Sequence, residues 1–510
     1  MINYALADIS SWGDIHAACG AGRIVAVSDT AGRPRYRRTT VRGLVSLKPH
    51  WAMCCVAAGS AGTTTAGNHS SASTVDVVSP VHPELGDFKT HLELCLTLDV
   101  PLLVVITKMD ATSVVNLRST LTSILTTLKT FHRQPCVLPS SSQGFSEPGS
   151  PQILMPHDIA EAQQVLTSES FSPRTHVPIV MTSAVTGRGM GTLHAILRHL
   201  PILGSADTGS PPPNGPSRAS SPTVFNIDEV FGASNTDTIT LHDGRRTLEG
   251  YILCGHLSAG SLLVGDELWL GPFVTNPNTK AASHEETSGR LRNSSRIGEL
   301  AVEPSAAGES ASTRVQETTR ESSDAPSWFT VRVVSLRYLR QPVRTLDTDH
   351  CGTAGVVLAN SSLQIEVSKI RKGMVMSSTQ RGPSRHAPPA YRGFVARFAE
   401  QDVSSFTEGI PVTVYTSSIR ALATVTPRDL PGSISKAKDC SASNNHPSST
   451  NGSSVFDAVS HTTVVHIGFT FVNSYEFFRR NDTVLIMLDK VDGGIASLGG
   501  VKGIITEPLP

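Results

Sequence analysis

Residues 205–222, SADTGSPPPNGPSRASSP, separate two stretches of chain whose hydrophobic periods differ. A run of Pro, Ser and Gly buries no core and reads as a linker. Before it, RIVAVSD, WAMCCVAAG, PLLVVITK and VPIVMTS are short, β-branched and largely apolar, as strands covered on both faces are. Helical segments lie between them. In VVNLRSTLTSILTTLKTF the apolar residues Leu117, Leu121, Ile124, Leu125 and Leu128 recur at three and four, one face of an α-helix. Strands alternating with helices predict a parallel α/β sheet.

After the linker the period drops to two. TVFNIDEVF, TLEGYILCGHLSAGSLLVGDELWLG and WFTVRVVSLRYL suit one small antiparallel barrel. RGFVARFAE, IPVTVYTSSIRALATVT and TVVHIGFTFV, with the C-terminal strands, suit a second. The expected organisation is therefore an α/β domain over 1–204, a linker over 205–222, and barrels over 223–388 and 389–510. Polar tracts at 63–74, 139–151, 276–327 and 432–454 interrupt this frame. They read as insertions unable to bury a core, and long surface loops cost little closure entropy. The chain's 39% apolar and 5% aromatic content is what such dilution gives.

Lys+Arg and Asp+Glu both number 43, so the whole chain offers a polyelectrolyte no net attraction. The eight cysteines form no C-x-x-C pair and no ligand spacing with His; Cys54 and Cys55 read as packed small hydrophobes. The opening residues lack an apolar signal core and no run of about 18 apolar residues occurs, which predicts neither secretion nor a membrane span. A reducing, cytoplasmic setting is the expectation.

Three motifs occur in order, each after an apolar strand candidate and each followed by helical sequence. Asp-x-x-Gly at Asp29–Gly32 suits a carboxylate reaching magnesium through water and an amide following a terminal phosphate. In PLLVVITKMDAT, Thr107, Lys108 and Asp110 stand at the carboxyl end of a strand, where side chains face a ligand crevice. A carboxylate at 110 can accept from both N1–H and the 2-amino group of guanine, which adenine does not offer, and the Lys108 stem can lie over the purine. In VPIVMTSAVTGRGM, the amides around Ser183 and Ala184 can meet guanine O6, with a small residue at 184 leaving room for the base. Each motif alone is weak; their order and context carry the reading.

With these motifs in place the chain resembles the translational, elongation-factor-type GTPases, most nearly the GTP-binding protein 1 and 2 branch. DTAGRPRYRRTTVRGL, ITKMD with Thr in place of the usual Asn, FNIDEVF, GHLSAGSLLVGDELWLGP, IRKGMV, SSIRALATV and GGVKGII carry the likeness. The resemblance implies a P-loop-type G domain followed by two β-barrels, GTP or GDP with Mg2+ as ligands, hydrolysis of GTP, and a ribosome or RNA, not DNA or a membrane, as partner. It implies Asp29 as the outer-sphere magnesium ligand, Gly32 as the γ-phosphate sensor, Thr107, Lys108 and Asp110 around guanine, and Ser183 and Ala184 completing that pocket.

Two departures bear on activity. No G-x-x-x-x-G-K-[ST] occurs in the sequence, and that loop cradles phosphates with its amides, Lys and Ser/Thr. Where the family has a His after Asp-x-x-Gly, this chain has Arg33, which takes up no proton at neutral pH but can pair with a phosphate. No catalytic residue follows. The likeness also places the P-loop strand in mid-sheet, beside WAMCCVAAG. Its loss would leave buried amides and carbonyls unpaired at roughly 1–3 kcal/mol each, so the expectation is that Met1 is not the native start. The alternative reading is a non-hydrolysing scaffold whose barrels bind protein or RNA. Arg33, Arg35, Arg37, Arg38 and Arg42 read as a solvated helix face or an RNA contact, and Arg420 as exposed or partner-facing. His16, His91, His194 and His256 read as structural or surface residues.

Overall fold

The computed structural model describes residues 10–19, 22–33, 36–59, 83–139, 155–202, 222–232, 239–240, 247–248, 250–273, 326–359, 365, 367–378, 386–426, 464–488 and 500–510. The polar tract at 63–74, most of those at 139–151 and 276–327, the whole of 432–454 and nearly all of the linker lie outside the described residues.

An α/β layer comes first. Helices α1 (Trp12–Cys19) and α2 (Arg37–Ser46) precede β1 (Ala52–Ala57), α3 (Pro83–Thr97) and β2 (Leu102–Thr107). Then follow α4 (Val114–Thr130), β3 (Gln134–Val137), α5 (Pro156–Leu166), β4 (His176–Met181) and α6 (Met190–His199). The sheet is parallel, in the order β1-β2-β4-β3. β2 is apolar throughout because both its faces are covered. Leu102, Val104 and Ile106 pack on the α3 and α4 side, Leu103 and Val105 on the α5 and α6 side, and each buried side chain contributes about 1.5–3 kcal/mol.

The helical face read in α4 is the buried one: Ile124 and Leu128 are fully enclosed, with Leu117, Leu121 and Leu125 packed against them. Ser113 caps this helix by accepting from the Asn116 N–H at 3.3 Å. Two elements went unread in the sequence. β3 holds only four residues and includes Pro135, which an edge strand tolerates. α5 opens on Pro156 with the Asp158 carboxylate accepting from the Met155 N–H at 3.3 Å.

RIVAVSD is not a strand. Residues 23–31 carry no regular structure, and Val25 and Val27 are 46% and 76% exposed. The reason is pairing: a strand needs a neighbour, and the sheet has none beyond β1. The segment is held instead at its two ends, by the Arg23 guanidinium on the Leu200 carbonyl and by the Thr40 hydroxyl donating to the Ala31 carbonyl at 2.6 Å.

Two closed antiparallel barrels follow. The first contains β5 (Val224–Gly232), β8 (Tyr251–Ala259), β10 (Glu267–Phe273), β11 (Ser327–Tyr338), β14 (Cys351–Leu358) and β15 (Val375–Ser377). It closes through β10–β11 pairing. Short strands β6 (Ile239–Thr240), β7 (Thr247–Leu248), β9 (Ser261–Leu263), β12 (Gln341–Val343) and β13 (Thr345–Asp347) decorate it. Its core has period two, and a bulge after Val333 resets the phase so that Leu336 again points inward. The second barrel runs β16-β19-β18-β17-β20-β21, from β16 (Gly393–Ala399) through β17 (Pro411–Thr416), β18 (Ile419–Thr426), β19 (Val464–Phe471) and β20 (Thr483–Leu488) to β21 (Val501–Leu509). Phe394, Phe398, Phe406, Phe469 and Phe471 interlock at its centre.

The three bodies meet through specific contacts. Val41 of α2 and Leu94 of α3 are buried against Tyr415, Leu485 and Met487 of the second barrel. Arg42 turns inward and donates to the Asp228 carbonyl at 3.0 Å. Burial pushes the Asp228 carboxyl up, while Ser418, Ser46 and Arg42 draw it back. Arg33, Arg38 and Arg420 remain exposed. Between the barrels Arg371 meets the Glu476 carboxylate at 3.0 Å, with Trp328 edge-on to Phe477.

Two measurements check these contacts. Glu476 keeps only 2% side-chain exposure, so Arg371→Ala strands a buried carboxyl. The expected loss in denaturant unfolding is toward the lower end of about 3–5 kcal/mol, since Arg371 is itself 35% exposed. His256, outward on β8 yet buried at the junction, is pushed by burial first, then by Lys48, Arg479, His50 and His350, from 6.5 down to about 4. Its neutral form therefore contributes stability that is present above pH 6.5 and lost as pH falls toward about 4, by at most about 3 kcal/mol. His256→Gln is expected to flatten that part of the melting temperature profile, read by calorimetry across the same pH range.

Candidate functional site

A parallel sheet delivers the loops after its strands to one rim, and here β1, β2 and β4 are adjacent, so their loops share it. β2 ends at Thr107, whose hydroxyl donates to the Val56 carbonyl of β1 at 3.3 Å. Lys108 then takes a left-handed conformation (φ 57°), which ends the strand abruptly and starts the turn Met109–Ala111. Lys108 and Asp110 are both exposed on this turn.

The loop after β4 is more enclosed. Ser183 is fully buried; its hydroxyl accepts from the Thr186 N–H at 3.1 Å, and its own N–H donates to the Arg188 carbonyl at 3.0 Å. The turn thereby presents Ala184 and Val185 to solvent, Val185 being 80% exposed. Gly189 closes the loop with φ 69°; a Cβ there would lie 2.0 Å from the Met181 carbonyl oxygen, so no other residue fits without displacing the strand end.

Thr182 joins the two loops. Its N–H donates to the Ile106 carbonyl at 2.7 Å, and its carbonyl accepts from the Met109 N–H at 3.2 Å. Thr107, Lys108 and Asp110 are thus tied directly to Ser183 and Ala184. Thr182 was not singled out in the sequence, because its role is a backbone contact between strands that are not consecutive in the chain. Thr120 was missed likewise: fully buried on α4, it donates to the Ala58 carbonyl at 2.8 Å and fixes the loop after β1.

The Asp-x-x-Gly segment stands differently. Asp29 and Gly32 are exposed, and a Cβ on Gly32 would meet nothing within 4 Å. The segment leans on α2 through Thr40–Ala31 and Thr30–Gly43. Among the described residues no hydrogen bond or ion pair joins Asp29 or Gly32 to the two linked loops. The base side of a guanine site therefore has a donor and acceptor set that fits. The phosphate and magnesium side does not: it offers one exposed carboxylate, no phosphate-cradling loop in the sequence, and, among the described residues, no group of three or more His, Cys, Asp or Glu able to hold a metal ion.

Comparison with known proteins agrees with the fold. Residues 19–202 match the elongation factor Tu GTP-binding domain. The human GTP-binding protein 2 is 24% identical over 256 residues, 49% of this chain and 32% of that protein. The Xenopus laevis GTP-binding protein 1 is 27% identical over 258 residues, 50% of this chain and 30% of that protein. The match thus spans about a third of these relatives' own length. Translation elongation factor SelB from Methanococcus maripaludis, in its apo form, superposes with a TM-score of 0.50 at 13% identity, covering 96% of this chain and 71% of that one. That likeness is one of fold. With an elongation-factor-type G domain over 19–202 and two six-stranded barrels behind it, the chain belongs to the translational GTPases.

Proposed function

We propose that the protein binds guanine nucleotide at the rim formed by the loops after β2 and β4, hydrolyses GTP to GDP as its family does, and works on a ribosome or RNA in the cytoplasm, in elongation or quality control. One observation carries the base-binding part: the Met109–Thr182 hydrogen bond of 3.2 Å, which makes two distant motifs a single surface. On that surface the Asp110 carboxylate accepts from N1–H and the 2-amino group, the Lys108 stem covers the purine face, and the amides after Ser183 meet O6 beside the small Ala184.

Magnesium, when bound, would supply charge neutralisation at the phosphates, and Asp29 is the residue offered to it. No step of the hydrolysis is assigned to this chain's side chains, because the phosphate side does not fit. Arg33 keeps its proton at neutral pH, so its part is to pair with a phosphate oxygen rather than to activate water. The scaffold reading has its own support in the same feature: an exposed Asp29–Gly32 segment and no phosphate loop. No helix among the described residues is long and apolar enough to cross a membrane.

Titration of the purified chain with a fluorescent GDP, with and without magnesium, decides between these. Saturable micromolar binding that competes with GDP and not ADP is the expected outcome; no saturation favours the scaffold. Asp110→Asn reverses one hydrogen bond to the base. It is expected to weaken guanine binding roughly ten- to a hundredfold, about 1–3 kcal/mol, and to improve xanthine nucleotide binding. Unchanged guanine preference in that variant would remove Asp110 from the site.

A further inference from the structure

Among the described residues β1 is hydrogen-bonded on one side only, to β2. The N–H groups of Ala52 and Ala58 donate to the carbonyls of Pro101 and Thr107. By strand alternation, residues 52, 54, 56 and 58 turn their backbone groups to β2, and Met53, Cys55 and Ala57 turn theirs outward. The side chains follow the same split. Ala52, Cys54 and Val56 join the core under α3, whereas Met53 is 44% exposed and Cys55 is exposed.

Edge strands are normally blunted by charge, proline, a bulge or a covering element. AMCCVA has no charge and no proline, and its ladder with β2 is regular from Ala52 to Ala57. More apolar surface begins nearby. Arg23 binds the Leu200 carbonyl and Trp51 the adjacent Pro201 carbonyl, so the segment with exposed Val25 and Val27 starts beside the foot of β1.

We propose that this edge is a self-association site, at which β1 pairs antiparallel with β1 of a second copy about a twofold axis through Cys55. The outward row is self-complementary. Met53 lies opposite Ala57 of the second copy and Cys55 opposite its own counterpart, and each of these residues brings one donor and one acceptor. The second copy is favoured over a charged partner because the strand carries no charge, and with 43 basic and 43 acidic residues two chains meet without net repulsion. Stable interfaces bury roughly 1,200–2,000 Å². Three backbone positions with Met53, Cys55 and the neighbouring valines reach only the low end, so the dimer is weak and depends on concentration. The edge is also the one beside which the family likeness places the phosphate-loop strand that residues 1–510 lack, and its openness does not depend on the nucleotide reading.

Sedimentation velocity on the full chain over a concentration series, paired with amide hydrogen exchange at each concentration, tests the proposal. The expected result is a monomer–dimer equilibrium in which the amides of Met53, Cys55 and Ala57 gain protection as dimer forms, while those of Cys54 and Val56 are protected throughout. Cys55→Lys and Met53→Lys, each confirmed folded by thermal melting, are expected to raise the dimer dissociation constant at least about tenfold. A chain that stays monomeric with the three outward amides always exchanging fast overturns the proposal. So does a dimer whose dissociation constant neither variant changes.

Discussion

The placement of β2 between β1 and β4 is the constraint on which the α/β layer depends. Because this strand is flanked on both edges and covered on both faces, it can be apolar from Leu102 to Ile106 and still satisfy every backbone group. The same placement brings the ends of two non-consecutive strands within hydrogen-bond reach, so that Thr182 accepts from Met109. The base-recognition surface is a by-product of the ladder: chemistry sits where the strands stop and the pairing continues for one more bond.

The barrels do more than follow the α/β layer. Their outer faces carry polar and ionisable groups that a free barrel would leave in water, and the junction buries them. His256 is the clearest case, since it points away from its barrel's core and is nonetheless only 2% exposed. Arg42 of α2, whose neighbours in sequence are basic and exposed, is turned into the same junction by Asp228. A charged run in sequence thus splits into residues with different roles once a second body packs against one side of the helix.

Much of this was legible beforehand. Period two against period three-and-four separated the barrels from the α/β layer, and the apolar stripe of α4 is the buried one. The base-side residues could be named because a strand followed by Thr-Lys-Met-Asp, and another followed by Ser-Ala-Val-Thr-Gly, each carry their chemistry locally. β3 and α5 escaped notice because a four-residue strand containing Pro135 and a helix of eleven residues amid polar sequence give little periodic signal. RIVAVSD misled in the opposite sense. Its composition is that of a strand, but composition states what a segment can pair with and not whether a neighbour is present.

What the sequence determined by itself is therefore local: which segments are strands or helices, where the strands end, and which side chains stand at those ends to meet a purine. Tertiary structure decided the rest. It joined the loops after β2 and β4, left Asp29 and Gly32 outside that joined surface, buried Arg42 and His256, and kept one edge of β1 open. The physical reason is that backbone hydrogen bonds between strands, and burial between separately folded bodies, depend on neighbours far away in the chain, and no residue's own chemistry encodes its neighbour.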